Sequence, residues 1–247
     1  YEELFNNIDK VAVALIQKGV KKGDIITVSL PNIPEAVYLF YATSKLGAIA
    51  NMIDPRTSSE GIKNYTKEVK SNLIFIVDSY YSKVKDFVDE GVVDEIISVS
   101  PAVSLPLSLN FAYKAKEFIE GLRDKEKKIV FNNNTINWST FINSANLKEE
   151  IVSNYEVNSP LAIVHTGGTT GVPKGVVLSN ENINAVALQS VLIGIDMKRE
   201  HNWLDIMPPF IAYGLGMGLH LPLTIGMETI LIPQFDPKKF DELLLKY

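Results

Sequence analysis

The chain has 247 residues, a length near which one hydrophobic core begins to divide into subdomains. Hydrophobic residues at 46% and charged residues at 21% are ordinary globular usage, which excludes a disordered or fibrous class. A net charge of -5, with one short basic run "KEKK" at 125–128, argues against a nucleic-acid surface, and the lack of cysteine removes disulfides, thiolate zinc sites and thiol nucleophiles.

Apolar residues Leu4, Ile8, Val11 and Leu15 follow a helical spacing, and Gly19 stands where a helix would stop. "IITVSL" (25–30) then reads as a strand, with Pro31, Asn32 and Pro34 starting the helix "EAVYLFYATSKLG". The alternation continues through a strand at 48–53, a capped helix at 58–69, a strand at 73–78, a helix at 80–88 and a strand at 95–100. Such near-continuous apolar strands between helices predict an α/β fold with mostly parallel sheets covered by helices. Between 101 and 158 the pattern weakens: 111–122 reads as a helix, and "NNNTINWS" as a turn between short extended pieces. From 161 the order returns, with a strand "LAIVHT", a Gly/Thr loop, a strand "GVVLS" (175–179) and a helix at 180–194 capped by Ser179 or Asn180. No apolar run approaches the roughly 20 residues that span a bilayer, and the first residues lack a signal-peptide profile. A cytoplasmic location is the expectation.

The loop "HTGGTTGVPKG" (165–175) concentrates glycine, threonine and one lysine. Glycine lets backbone N–H groups approach a ligand, hydroxyls add donors and lysine adds a point charge, so the set describes a phosphate cradle. The P-loop pattern G-x-x-x-x-G-K-[ST] fails here, because Pro173 precedes Lys174 and Gly175 follows it. A strand rather than a helix also follows the lysine. A plain hairpin turn is the structural alternative, although two to five residues ordinarily suffice for one.

The string Thr166-Gly167-Gly168-Thr169-Thr170-Gly171-Val172-Pro173-Lys174-Gly175 is similar to the signature loop of the adenylate-forming (AMP-binding) enzymes. These comprise acyl-CoA synthetases, luciferases and the adenylation domains of peptide synthetases. "YEELFNNIDKVAVAL" resembles their early helix, "KLGAIANMIDPR" (45–56) a second core motif, and "MPPFIAYGLGMG" (207–218) the core bordering the acyl pocket. The resemblance implies an α/β N-terminal domain whose loop holds the phosphates of ATP while a carboxylate attacks the α-phosphorus. An acyl-adenylate and pyrophosphate form, and coenzyme A takes the acyl group. ATP, Mg2+ and coenzyme A are the implied cofactors and small-molecule partners. Thr166, Thr169 and Thr170 would supply donors, Gly167, Gly168, Gly171 and Gly175 would permit close approach, and Lys174 would meet the pyrophosphate end. Thr166 and Lys174 are thus the expected catalytic contacts, and no residue is assigned to a metal.

Two departures qualify the resemblance. The magnesium-binding glutamate, the ribose-binding aspartate and the lysine of a C-terminal domain are not found, so the chain is expected to be part of a longer synthetase and inactive alone. Residues 1–179 are expected to form a first subdomain and 180–247 the beginning of a second. Where many relatives carry Phe-His-x-x-Gly, this chain has Phe210-Ile211-Ala212-Tyr213-Gly214. Ile211 offers no partner to a substrate amine, so a fatty or other organic acid is expected rather than an amino acid, with Phe210, Ile211, Tyr213 and Gly214 lining its pocket. An adenylation domain that loads a carrier protein, or a nucleotide-binding module without chemistry, are the alternatives.

Other residues are better read as structural. His165 abuts the loop but suits strand-end packing as well as a phosphate neighbour; His201 and His220 lack partners at metal-ligand spacing. The aromatic run 36–42 reads as core, 111–122 as a helix lying on its own protein without membrane contact, and Asp54-Pro55-Arg56 as a turn.

Overall fold

The computed structural model describes residues 1–104, 129–146, 151–167, 174–194 and 196–247. The apolar runs become β1 (Ile25–Ser29), β2 (Ile49–Met52), β3 (Leu73–Val77), β4 (Glu95–Val99), β5 (Thr135–Asn137), β6 (Pro160–Thr166) and β7 (Lys174–Ser179). They join in one seven-stranded sheet, ordered β5-β4-β3-β1-β2-β6-β7. Every pairing from β5 to β6 is parallel. β7 alone turns back antiparallel on β6, with Thr166 opposite Lys174 and His165 opposite Gly175. Strands buried on both faces need apolar residues at every position, which is why the sequence shows runs rather than alternation.

One face is covered by α1 (Glu2–Gln17), α2 (Pro34–Leu46) and α4 (Trp138–Asn143), which bury Val11, Leu15, Leu39, Phe40 and Phe141 against Val28 and Phe75. Phe75 meets Phe141 edge-on at 5.1 Å between ring centroids. Truncating such a buried ring costs about 3–5 kcal/mol. The other face carries α3 (Ser59–Glu68) and segment 78–93, with Ile62, Tyr81, Val84 and Phe87 packed on Ile74, Ile76 and Ile96. α2 starts on Pro34 and stops at Gly47, whose φ of +68° favours glycine. α3 is capped by the Ser58 hydroxyl, which accepts from the Gly61 amide.

Beyond β7, α5 (Asn180–Leu192) leads to a second, two-stranded parallel sheet of β8 (Asn202–Asp205) and β9 (Glu228–Leu231). The connection holds a π-helical turn, Gly214–His220, that runs into α6 (Leu221–Ile225); α7 (Phe240–Lys246) follows β9.

Two expectations are corrected. Residues 80–88 form no α-helix: a 3-10 turn over Asp78–Lys83 passes into further turns. The buried Tyr81, Val84 and Phe87 recur every three residues, the period of a tighter winding. "NNNTINWS" is not a turn between extended pieces, since β5 runs directly into α4 with Asn137 as its cap. The helix expected at 111–122 lies outside the described residues. Among the described residues no helix is long and apolar enough to cross a membrane.

Candidate functional site

Parallel pairing brings the C-terminal ends of β1, β2 and β6 to one edge of the sheet, where doubly wound folds bind ligands. Each strand delivers a segment there: Asn32 after β1, Asp54–Thr57 after β2, and Thr166 at the end of β6.

The β6–β7 hairpin fixes both ends of the Gly/Thr loop opposite each other. Thr166 and Lys174 form its outermost described pair, and both are exposed. The Thr166 hydroxyl donates to the Lys174 carbonyl over 3.4 Å, a long bond that a better acceptor can displace. A β-carbon on Gly167 would meet no atom of the described residues within 4 Å, so among them space lies open beside this pair. Gly175 is confined instead, its β-carbon position lying 3.1 Å from Ile163 and 3.6 Å from the His165 ring. Gly168, Thr169, Thr170 and Gly171 lie outside the described residues. An open hydroxyl and ammonium at a sheet edge are a donor set that fits a polyphosphate.

His165 is tied down on the α3 face of the sheet. Its ring stacks on Tyr65 with centroids 4.0 Å apart and planes 20° from parallel. Its Nε2 lies 2.7 Å from Asn51 Oδ1, while Asn51 Nδ2 donates to the Thr27 hydroxyl at 3.2 Å. With its amide NH2 spent on Thr27, Asn51 presents an acceptor, so Nε2 carries the proton and Nδ1 the lone pair. That Nδ1 is buried and, among the described residues, without a hydrogen-bond partner. Burial pushes the imidazole pKa down, and the Glu68 carboxylate opposes the shift. The packing reading of His165 therefore holds, but it is incomplete. Asn51 and Thr27 escaped the sequence reading; their signal was a polar residue inside an otherwise apolar strand run.

The expected pocket residues lie on the turn that follows β8. Phe210 and Gly214 are buried, Ile211 is half-buried and Tyr213 is 58% exposed. Asn32 Nδ2 donates to the carbonyls of Asp205 and Met207, both at 3.1 Å, which ties this turn to the end of β1. The Arg56 guanidinium, paired with Asp54, lies 5.7 Å from the Phe210 ring centroid and ties the turn to the end of β2. The described ends of the Gly/Thr loop and the turn after β8 are thereby anchored to the same sheet edge. Beneath the turn, Asp205 is 2% exposed, accepts from the Met207 amide at 3.2 Å, and has its pKa raised by burial to about 7.

Ser179 caps α5 in a reciprocal box with Asn182. His220 is held by the Tyr41 hydroxyl at 3.0 Å and by Asn184 at 3.1 Å. Among the described residues no group of three or more His, Cys, Asp or Glu could hold a metal ion.

The family model described as AMP-binding enzyme matches residues 1–247. The "Probable 4-coumarate--CoA ligase 1" of Dictyostelium discoideum is 31% identical over 244 residues, covering 98% of this chain and 42% of its own length. The long-chain-fatty-acid–CoA ligase of Bacillus subtilis is 28% identical, with 96% and 42% covered. The crystal structure of ATP-bound MatB from Rhodopseudomonas palustris superposes with a TM-score of 0.75 at 18% identity, covering 100% of this chain and 42% of that one. The chain thus spans about two fifths of the length of the curated relatives it matches.

Proposed function

The chain belongs to the AMP-binding enzyme family, and from that premise we propose that it is the phosphate-holding part of an acid–thiol ligase that converts a carboxylic acid to its acyl-adenylate and passes the acyl group to coenzyme A. The observation that carries this reading is the open Thr166–Lys174 pair at the head of the β6–β7 hairpin. In the proposed reaction the Thr166 hydroxyl turns from the Lys174 carbonyl to a phosphate oxygen, and Gly167 leaves room for that oxygen. The Lys174 ammonium stabilises charge that accumulates on pyrophosphate as the carboxylate attacks the α-phosphorus. Thr169, Thr170, Gly168, Gly171 and Gly175 belong to the same proposed cradle. Mg2+ would accompany the nucleotide, since the described residues offer it no acidic cluster of their own.

The acid is proposed to lie along Phe210, Ile211, Tyr213 and Gly214. Ile211 brings no charge, which supports an acid with an apolar body, fatty or aromatic; the named activities of the relatives, on 4-coumarate and on long-chain fatty acids, both fit. Those relatives also support coenzyme A as acceptor. Residues 1–179 and 180–247 are proposed as a first subdomain and part of a second, a division supported by the end of the large sheet at Ser179. The 247 residues alone are proposed to bind nucleotide without completing adenylation. Calorimetry of ATP binding to residues 1–247, with pyrophosphate exchange by the full-length protein, tests the reading; binding with acid-dependent exchange supports it, and absence of nucleotide binding overturns it.

A further inference from the structure

We propose that His165 is a positioning residue for the bound phosphates, a neutral imidazole that takes a proton on Nδ1 when a polyphosphate seats against Thr166 and Lys174. This rests on the nucleotide-binding reading above. Three features of the structure carry it. Asn51 fixes the Nε2–H tautomer, and Tyr65 fixes the ring plane, so the lone pair on Nδ1 has one orientation. That nitrogen is buried and, among the described residues, unpartnered, an arrangement that costs stability and persists where function uses it. Its cross-strand neighbour is Gly175, which has no side chain to press on the ring: a β-carbon there would lie 3.6 Å from Cε1 and 3.8 Å from Nδ1.

The elements packed around the ring explain why protonation waits for the ligand. β1 and β2 present the neutral Thr27 and Asn51; α3 presents the Tyr65 ring and the exposed Glu68; β7 presents Gly175, with the Lys174 ammonium at the next ladder pair. Burial disfavours an imidazolium in the free protein, and the Glu68 carboxylate opposes that shift. A polyphosphate at the hairpin head engages Lys174 and adds several negative charges one residue from His165. The balance then reverses, and the proton comes from solvent. The imidazolium, held rigidly by Asn51, returns a fixed positive charge to the phosphates.

Two measurements on the 247-residue chain test this. ATP is titrated calorimetrically near neutral pH in two buffers of different ionisation enthalpy, and the imidazole Cε1–H resonance of His165, assigned with His165→Gln, is followed against pH with and without ATP. Wild type is expected to take up a fraction of one proton on binding, and the His165 midpoint to rise by about one unit, equivalent to roughly 1.4 kcal/mol. His165→Phe, which keeps a ring for Tyr65, is expected to bind more weakly and without uptake. ATP binding with no uptake and an unmoved His165 midpoint overturns the inference and leaves the nucleotide reading intact. No ATP binding overturns both. Should His165→Phe fail to fold, the wild-type titration decides alone.

Discussion

Gly214 lies against Pro208 so closely that a β-carbon on it would stand 2.0 Å from the Pro208 carbonyl oxygen. The same β-carbon would approach the Met207 carbonyl oxygen to 2.8 Å. Both obstacles are backbone, which cannot swing aside as a side-chain tip can. The turn Met207–Phe210 and the start of the π-helical turn are therefore one packed unit, pinned to β1 by Asn32.

Gly214→Ala must displace that unit, and overpacking of this kind costs roughly 1–3 kcal/mol. The denaturant midpoint is expected to fall, and in the full-length protein the KM for the acid is expected to rise while ATP affinity holds. An unchanged midpoint and KM would show that the turn yields freely and does not shape the acid pocket.

Asp205 makes stability depend on pH. Its carboxyl titrates near 3.8 in ordinary surroundings and is raised to about 7 in the fold by burial. Between those values the folded state holds a proton that the unfolded chain has released, so stability falls as pH climbs through the window. Asp205→Asn keeps an acceptor for the Met207 amide and removes the titration. The variant is expected to match wild type near the lower value and to exceed it above pH 7 by on the order of 2–4 kcal/mol. Parallel stability curves for the two proteins would refute this.

Lys174→Ala removes an exposed charge whose side chain supports no described part of the core. Pyrophosphate exchange by the full-length protein is expected to drop by about a hundredfold or more, the loss typical of one preoriented donor at a developing anion. Its Tm is expected to move by less than about 2 °C. Equal losses of activity and thermal stability would instead assign the lysine to the hairpin.

Ser179→Ala removes the hydroxyl that accepts from the Asn182 amide and leaves only the backbone half of the reciprocal cap on α5. A loss of about 1 kcal/mol is expected, and Ser179→Asn should recover most of it by restoring a side-chain acceptor. Chemical denaturation of the three proteins measures the difference.

The parallel sheet was legible because burial on both faces leaves its mark in each run, from "IITVS" to "EIISV", without reference to any distant residue. The strands on either side of the Gly/Thr loop were legible because each is a contiguous run. The segment after β3 was misread because Tyr81, Val84 and Phe87 satisfy both a helical stripe and a three-residue period over so short a span. The Thr27–Asn51–His165 network was hidden for another reason: its hydrogen bond from His165 to Asn51 joins positions 114 apart, and only the β2–β6 pairing makes them neighbours. Asn32 and Arg56 were similarly silent, since their value lies in reaching Met207 and Phe210.

That long closure also sets an order of assembly. β1 to β4 can find one another through short crossovers, whereas β6 pairs with β2 across a far longer stretch of chain, Ala50 with Ala162, and contacts of such separation form slowly. Among the described strands the β6–β7 hairpin joins the sheet only through the β6–β2 pairing, so it takes its place when this last pairing is made. Nucleotide affinity would then appear late in refolding, after helix content and most of the core have returned, and ATP would act on the folding chain as a selective trap for molecules that have completed the sheet.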